Sequence, residues 1–242
     1  MAKTNFFLVF EGRAGSGLLR AILNSSPRIV FEPEWMMFNL LKEEGPGPRQ
    51  VQQIGRFYGE TEYRALDALG FANKLSDIVD PEGFASELLA HEVRVISLTR
   101  RNIAKQVVSS LNALRSKEIT GKVHAYTQKD IVDEPFELDL DQFDAHLERL
   151  IKRSAAQELF VRQHDWESVD VTYEDLILEK AETIGRITDF LRTPVEDVDL
   201  KPGETPLKQT PPDLSLLLGN FDALQKRYAG TRFQAMIEDV SV

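Results

Sequence analysis

A glycine-rich segment follows the first apolar run of the chain. The run covers residues 6–10 (FFLVF), and residues 12–17 have the sequence GRAGSG. An uninterrupted apolar run is typical of a strand that is covered on both faces in a parallel sheet. A strand that enters a helix through a glycine-rich turn presents backbone N–H groups and the positive helix end to an anion. The pattern therefore predicts a phosphate-binding loop. The alternative is that the glycines make only a tight strand–helix turn.

The residues after the loop restrict the type of phosphate compound. Gly12 and Gly17 have the spacing of a nucleoside-triphosphate loop, but Leu18-Leu19 stand where Lys-[Ser/Thr] is required. Without that hydroxyl the loop has no Mg²⁺ ligand, which argues against ordinary ATP or GTP hydrolysis. A dinucleotide fingerprint is also absent, because no glycine follows Gly17 at the required spacing. We therefore predict a phosphate compound bound without metal, with Arg13 supplying positive charge.

A second group of polar residues follows the clearest β-branched stretch, residues 93–99 (VRVISLT). Arg101 comes where that strand meets a helix, and the carboxyl ends of parallel strands form the usual ligand-binding edge. Ser109 lies about two helical turns further on. An arginine fork and a hydroxyl at these positions could bind a second phosphate. The alternative is a surface arginine and an ordinary helix serine.

The elements that position these residues alternate between strands and helices. Further strands are predicted at 29–31 and 169–173, and a helix from 103 to about Arg115 with Ile103, Val107, Leu111 and Leu114 on one face. This alternation predicts an open, mostly parallel α/β sheet flanked by helices on both faces, in a single domain of residues 1–242. Three stretches interrupt the pattern: a Gly/Pro-rich loop at 42–49, a surface excursion or lid at 116–140, and an irregular proline-rich arm at 193–213.

Composition excludes several classes of protein. The chain has 242 residues, no cysteine and a formal net charge of −10. Disulfides, thiolate metal sites and cysteine nucleophiles are therefore excluded. An acidic surface argues against a nucleic-acid partner, although positive charge can still cluster locally. We expect a cytoplasmic protein without a membrane span, because the start resembles no signal peptide and no long apolar run occurs.

The two polar groups, taken together, resemble the sulfotransferases that use 3′-phosphoadenosine-5′-phosphosulfate (PAPS), most closely their bacterial and carbohydrate-type branches. The segment GRAGSGLL is similar to the family's 5′-phosphosulfate loop, and Arg101 with Ser109 to its 3′-phosphate motif. The segment VTYEDL at 171–176 is similar to the family's Tyr-Glu-Asp-Leu segment. The resemblance implies a P-loop-kinase-like fold and these donor-binding residues: Arg13, Ala14, Gly15, Ser16, Gly17, Leu18, Arg101, Ser109, Tyr173 (near adenine) and Lys208. Gly17 and Leu18 depart from the family by replacing residues that often carry a hydroxyl.

The resemblance also implies catalytic residues. The carbohydrate and protein-tyrosine branches use a glutamate shortly after the second strand as general base, which corresponds to Glu34, with Glu32 in reserve. Lys74 resembles a lysine placed against the substrate or the phosphosulfate, and Arg13 would stabilise charge in the loop. The cytosolic branch uses a histidine instead, and His124 in the predicted lid is the alternative base.

The function predicted from these features is sulfuryl transfer from PAPS to a hydroxyl or amine of a small-molecule or carbohydrate acceptor, without metal. Adenosine 3′,5′-bisphosphate would be the nucleotide product. The alternative is a nucleotide-binding, kinase-like or regulatory protein that has the same fold and lacks sulfuryl transfer.

Overall fold

The computed structural model describes residues 3–59, 65–194 and 207–242, and within these ranges five parallel strands form one sheet. The strands are β1 (Thr4–Phe10), β2 (Ile29–Glu32), β3 (Ala68–Asn73), β4 (Arg94–Thr99) and β5 (Ser168–Thr172). Their order is β2-β3-β1-β4-β5, and every neighbouring pair is parallel. The predicted open parallel α/β sheet is thus confirmed. Because β1 is central, with β3 on one side and β4 on the other, its carboxyl end lies where such sheets bind ligands.

Helices connect the strands and close the chain. They are α1 (Ser16–Asn24), α2 (Trp35–Phe38), α3 (Pro46–Gly59), α4 (Pro81–Ala90), α5 (Ile103–Thr120), α6 (Leu140–Arg162), α7 (Tyr173–Leu178), α8 (Lys180–Leu191), α9 (Phe221–Tyr228) and α10 (Gln234–Glu238). Short 3-10 turns occur at Asn39–Lys42, Leu75–Asp77, Gln128–Asp130 and Leu214–Leu216.

The described residues divide into two compact units. The first unit contains those up to Thr99 and those from Arg153 to 194; the second contains those of 100–152 and 207–242. The prediction of one sulfotransferase domain over 1–242 stays a prediction. Within the predicted proline-rich arm at 193–213, residues 195–206 lie outside the described residues.

The sheet of the first unit is buried on both faces, as the apolar run of β1 predicts. Alternate side chains of β1 enter different clusters: Phe6, Leu8 and Phe10 pack on the face covered by α1 and α8, whereas Phe7 and Val9 pack on the face covered by α3 and α4. This division follows from the two-residue period of a strand. Gly70 in β3 makes room for the Phe6 ring, because a Cβ at Gly70 would lie 2.5 Å from three of its atoms.

The second unit has a separate apolar core. Side chains of α5, the first part of α6 and α9 pack together with the leucines around the 3-10 turn at Leu214–Leu216. The segments between these helices are fastened by two isolated bridges, an antiparallel one at Ala125↔Leu207 and a parallel one at Phe136↔Leu218. Part of the predicted excursion at 116–140 is therefore held by backbone hydrogen bonds. Its first residues belong to α5, which ends at Thr120 rather than near Arg115.

Two further predictions about local structure were wrong. Helix α3 begins at Pro46, inside the predicted loop at 42–49. Proline is compatible with a first helical turn, because the N–H that it lacks has no partner within the helix. Leu114, predicted on the buried face of α5, is 49% exposed. Polar side chains, including Lys105, Ser109, Asn112 and Ser116, occupy much of the buried surface of α5 instead.

Candidate functional site

The glycine-rich segment forms a tight loop between β1 and α1. The Ala14 N–H donates to the Glu11 carbonyl at 3.2 Å, and Arg13 and Gly15 have φ angles of 68° and 98°. Gly15 is the N-cap of α1 and has no side chain with which to occupy the helix end. The first N–H groups of a helix lack partners within it, and the helix dipole makes this end positive. The loop can thus bind an anion through backbone groups.

The ring of Tyr173 lies against this loop. Tyr173 is the first residue of α7, directly after β5, and its Cδ2 lies 2.8 Å from the point that a Cβ of Gly15 would occupy. Glycine is therefore required at position 15 both by its left-handed φ angle and by the neighbouring ring. The role of Tyr173 near adenine stays a prediction.

Lys74 and Glu34, two predicted catalytic residues, form an ion pair. Lys74 follows β3 and Glu34 follows β2 by two residues, and the Lys74 Nζ lies 3.2 Å from the Glu34 Oε1. The Lys74 Nζ also lies 3.8 Å from the Asp77 Oδ2, and Lys74 Cε is 3.9 Å from the point that a Cβ of Gly12 would occupy. The structure thus brings a carboxylate and an ammonium group from separate chain segments to the loop.

The position of Glu34 is supported by the backbone around it. Its carbonyl accepts the N–H groups of Met37 and Phe38, so Glu34 lies directly before α2 and accepts its first hydrogen bonds. Glu32, the reserve candidate, is the last residue of β2 and pairs in register with Phe71. Strand pairing therefore restrains Glu32, while Glu34 lies beyond the strand end with a partly exposed carboxylate.

Two polar residues near the loop were not singled out by the sequence analysis. Glu11, between β1 and Gly12, is only 4% exposed and forms an ion pair with Arg153 of α6. Gln157, one turn further along α6, is also buried, and its Nε2 lies 3.2–3.4 Å from Val9 O, Ser97 Oγ and Leu98 O. Both side chains are thus buried at the carboxyl ends of the central strands, Glu11 directly after β1 and Gln157 against β1 and β4. The sequence signal for Glu11 was an acidic residue at the end of an apolar strand.

The predicted second phosphate motif lies in the other unit, at the start of α5. Asn102 is the N-cap, and its Oδ1 accepts the Lys105 N–H at 2.9 Å. Arg101 is exposed just before this cap, and Ser109 is buried two turns along the helix. Burial, together with the charges of Arg100 and Lys105, lowers the pKa of Lys208. Positive charge from two chain segments, the start of α5 and the segment of Lys208, is therefore concentrated in this unit.

The remaining predicted base, His124, is exposed between α5 and the 3-10 turn at Gln128–Asp130. In the ranges that the structure describes, no group of His, Asp and Glu side chains could hold a metal ion. No helix among these residues is long and apolar enough to cross a bilayer.

The fold and the loop define a parallel α/β protein whose central strand ends in a glycine-rich turn, and solved structures of this kind are known. The chain is similar to the sulfotransferase domain from the curacin biosynthetic pathway, with a TM-score of 0.53 and 16% identity, covering 84% of this chain and 78% of that one. It is also similar to the sulfotransferase domain from the Synechococcus PCC 7002 olefin synthase, with a TM-score of 0.50, 18% identity, and coverage of 100% and 89%. No family model and no curated protein matches the sequence. The chain thus has the fold of sulfotransferase domains, and the fold expected from the resemblance is confirmed.

Proposed function

We propose that this protein is a sulfotransferase that moves the sulfuryl group of PAPS to a hydroxyl or amine of a small-molecule or carbohydrate acceptor. The observation that carries the proposal is the Glu34–Lys74 ion pair beside the glycine-rich loop, in a chain with the sulfotransferase fold. A carboxylate can deprotonate an acceptor, and an ammonium group can stabilise the charge that develops. Here both groups lie next to an anion-binding loop. The cytoplasmic location stays a prediction.

Two groups of residues are proposed to bind the donor. In the first group, the backbone of residues 13–18 and the Arg13 side chain would bind the 5′-phosphosulfate, with Tyr173 beside the loop. In the second, Arg101 and Ser109 would bind the 3′-phosphate, and Lys208 would add positive charge. Two observations support this assignment. Gly15 leaves the start of α1 without a capping side chain, next to the Tyr173 ring, and the charges of Arg100 and Lys105 act on Lys208. PAPS supplies an activated sulfuryl group whose transfer releases adenosine 3′,5′-bisphosphate.

The proposed mechanism assigns each catalytic residue one task. Glu34 accepts the proton of the attacking acceptor group, since a carboxylate in hydrogen-bond reach can act as general base. Lys74 orients Glu34 through their ion pair and places positive charge near the loop. Arg13 and the loop N–H groups stabilise negative charge on the leaving phosphate. Glu32 and His124 are the alternative bases.

The experiment that tests this function is an acceptor screen with PAPS labelled in the sulfuryl group. Transfer of label to any hydroxyl or amine acceptor, with release of adenosine bisphosphate, supports the proposal. Tight binding of adenosine bisphosphate with no transfer to any acceptor class would favour the nucleotide-binding, kinase-like or regulatory alternative.

Replacing Arg101 by alanine is expected to weaken PAPS binding by about 10- to 150-fold, because a charge-assisted contact of roughly 1.5–3 kcal/mol is lost. Isothermal titration calorimetry measures the change directly. The loss should largely disappear with adenosine 5′-phosphosulfate, which lacks the 3′-phosphate. Arg149→Ala, which removes another exposed arginine of the same unit, is the control. Equal losses for both ligands would show that Arg101 has a structural role.

Sulfuryl transfer is expected to continue with little change in the presence of excess EDTA. The reason lies in the loop, where Leu18-Leu19 replace the residues that would carry a Mg²⁺ ligand. The rate of label transfer with and without chelator measures this. Abolition by EDTA and rescue by Mg²⁺ would instead support kinase-like chemistry.

A further inference from the structure

Glu11 is a buried carboxylate directly before the glycine-rich loop. The residue is 4% exposed, and its Oε2 lies 3.7 Å from the Arg153 Nη1. Its Oε1 is fully enclosed and has no hydrogen-bond partner among the residues that the structure describes. An ionised carboxylate normally needs compensation at both oxygens when it is buried. Glu11 has partial compensation at one oxygen only.

The charges around Glu11 come from two other chain segments. Arg153 approaches from α6, while Lys74 and Asp77 belong to the segment after β3. Burial raises the pKa of the Glu11 carboxyl; Arg153 and Lys74 oppose this rise, and Asp77 adds to it. Lys74 is shared, because it also pairs with Glu34 and lies near Asp77. The neutral and ionised forms of Glu11 are thus closer in free energy than for an exposed glutamate.

An anion bound at the loop would add a negative charge to the group of charges around Glu11, because Lys74, which acts on Glu11, also approaches the loop at Gly12. The loop begins at the residue after Glu11, and the Ala14 N–H is hydrogen-bonded to the Glu11 carbonyl. A like charge close to a carboxylate disfavours its ionised form. We propose that Glu11 takes up a proton from solvent when the loop binds the phosphosulfate or the phosphate of the nucleotide. This inference rests on the proposed function, since it takes the loop as the nucleotide's anion site.

The sign of the resulting pH dependence follows from linkage. If the bound state holds the proton more tightly, the pKa of Glu11 is higher with nucleotide than without it. Affinity is then greatest below the pKa of the free protein and falls by up to about tenfold per pH unit between the two values. Above the pKa of the bound state, the affinity no longer depends on Glu11 protonation.

The test compares wild type with Glu11→Gln, which keeps the shape of the protonated form. Binding of adenosine 3′,5′-bisphosphate is measured by calorimetry from pH 5 to 8 in paired buffers of different ionisation enthalpy, which counts the protons taken up. The ligand's own phosphates titrate near a pKa of about 6, but they contribute equally in both proteins. We expect a lower proton uptake in the variant, by as much as about one proton, and an affinity advantage of the variant that grows as the pH rises.

A second variant keeps the test decisive if Glu11→Gln folds poorly. Arg153 is half-exposed, and Arg153→Gln removes the cation that opposes protonation of Glu11. We expect it to move the pH window of proton uptake to higher pH. Proton counts and pH profiles that are identical in wild type and both variants would overturn the inference while leaving the proposed function intact. No binding of the bisphosphate to wild type at any pH would overturn the proposed function, and the inference with it.

Discussion

Replacing Glu34 by glutamine is expected to lower the turnover of sulfuryl transfer by roughly 10²- to 10⁴-fold, the usual contribution of a general base. Glutamine keeps the shape and polarity of the side chain but cannot accept the acceptor's proton. Nucleotide affinity should barely change, because the loop N–H groups and the arginines proposed to bind it remain. Label transfer from PAPS, with calorimetry of adenosine bisphosphate in parallel, separates the two effects.

Two matched controls make this result interpretable. Glu32→Gln changes the reserve candidate at the end of β2 and is expected to have the milder effect. Asp77→Asn removes a second carboxylate that lies within 4 Å of the Lys74 ammonium, so it reports what loss of a Lys74 partner costs by itself. If the Glu34 variant stays within a few-fold of wild type while the Glu32 variant is inactive, the base is Glu32. If both remain active, His124 is the next residue to change.

Replacing Asp239 by asparagine is expected to destabilise the protein by about 3 kcal/mol, or roughly 150-fold in the unfolding equilibrium. The reason is Lys105, which is only 1% exposed and whose Nζ lies 3.4 Å from the Asp239 Oδ2. Removing one partner of a buried ion pair leaves the other charge with less compensation. The lower end of the usual range applies, because Asp239 is one-third exposed and Lys105 also donates to the main-chain oxygen of Val242 at 2.8 Å. Urea unfolding curves measure the loss.

The double variant Lys105→Met with Asp239→Asn serves as the test of this explanation. It removes both charges, so its stability should return to within about 1 kcal/mol of wild type. The exposed Asp133→Asn, in the same unit, is the control and should change stability by no more than about 0.5 kcal/mol. A double variant as unstable as the single one would show that the ion pair is not the cause.

The pKa of Asp239 also predicts how the stability of the folded protein depends on pH. Burial by itself would raise the pKa of Asp239, but hydrogen bonds from Ser241 and Asn102 and the charge of Lys105 lower it from 3.8 to about 2. The stability that ionised Asp239 contributes is therefore fully present above its ordinary pKa of 3.8. It is lost as the pH falls from 3.8 to about 2. The Asp239→Asn variant should lack this part of the acid-induced loss of stability.

Hydrophobic patterning was enough to predict the central part of the fold. The apolar run of β1 and the β-branched run of β4 each form buried strands, because residues of alternating direction are covered on both faces of the sheet. The same patterning failed along α5. Its buried surface includes Lys105, Asn112 and Ser116, and a periodicity based on apolar residues cannot find buried polar side chains. Burial of such polar side chains depends on partners from other chain segments. Asp239, for example, is the partner of Lys105.

The sequence by itself determined the glycine-rich loop, its place after the central strand and the residue types available there. These depend on local properties, namely the apolar run, the conformational freedom of Gly15 and the helix that comes next. Only the tertiary structure decided which side chains meet at that loop. Lys74 and Glu34 are 40 residues apart in the chain, and Arg153 reaches Glu11 from α6. The meeting of Lys74 and Glu34 follows from the order in which the parallel strands lie side by side, which brings the ends of β1, β2 and β3 to one edge of the sheet. The pairing of Glu11 with Arg153 depends instead on where α6 packs.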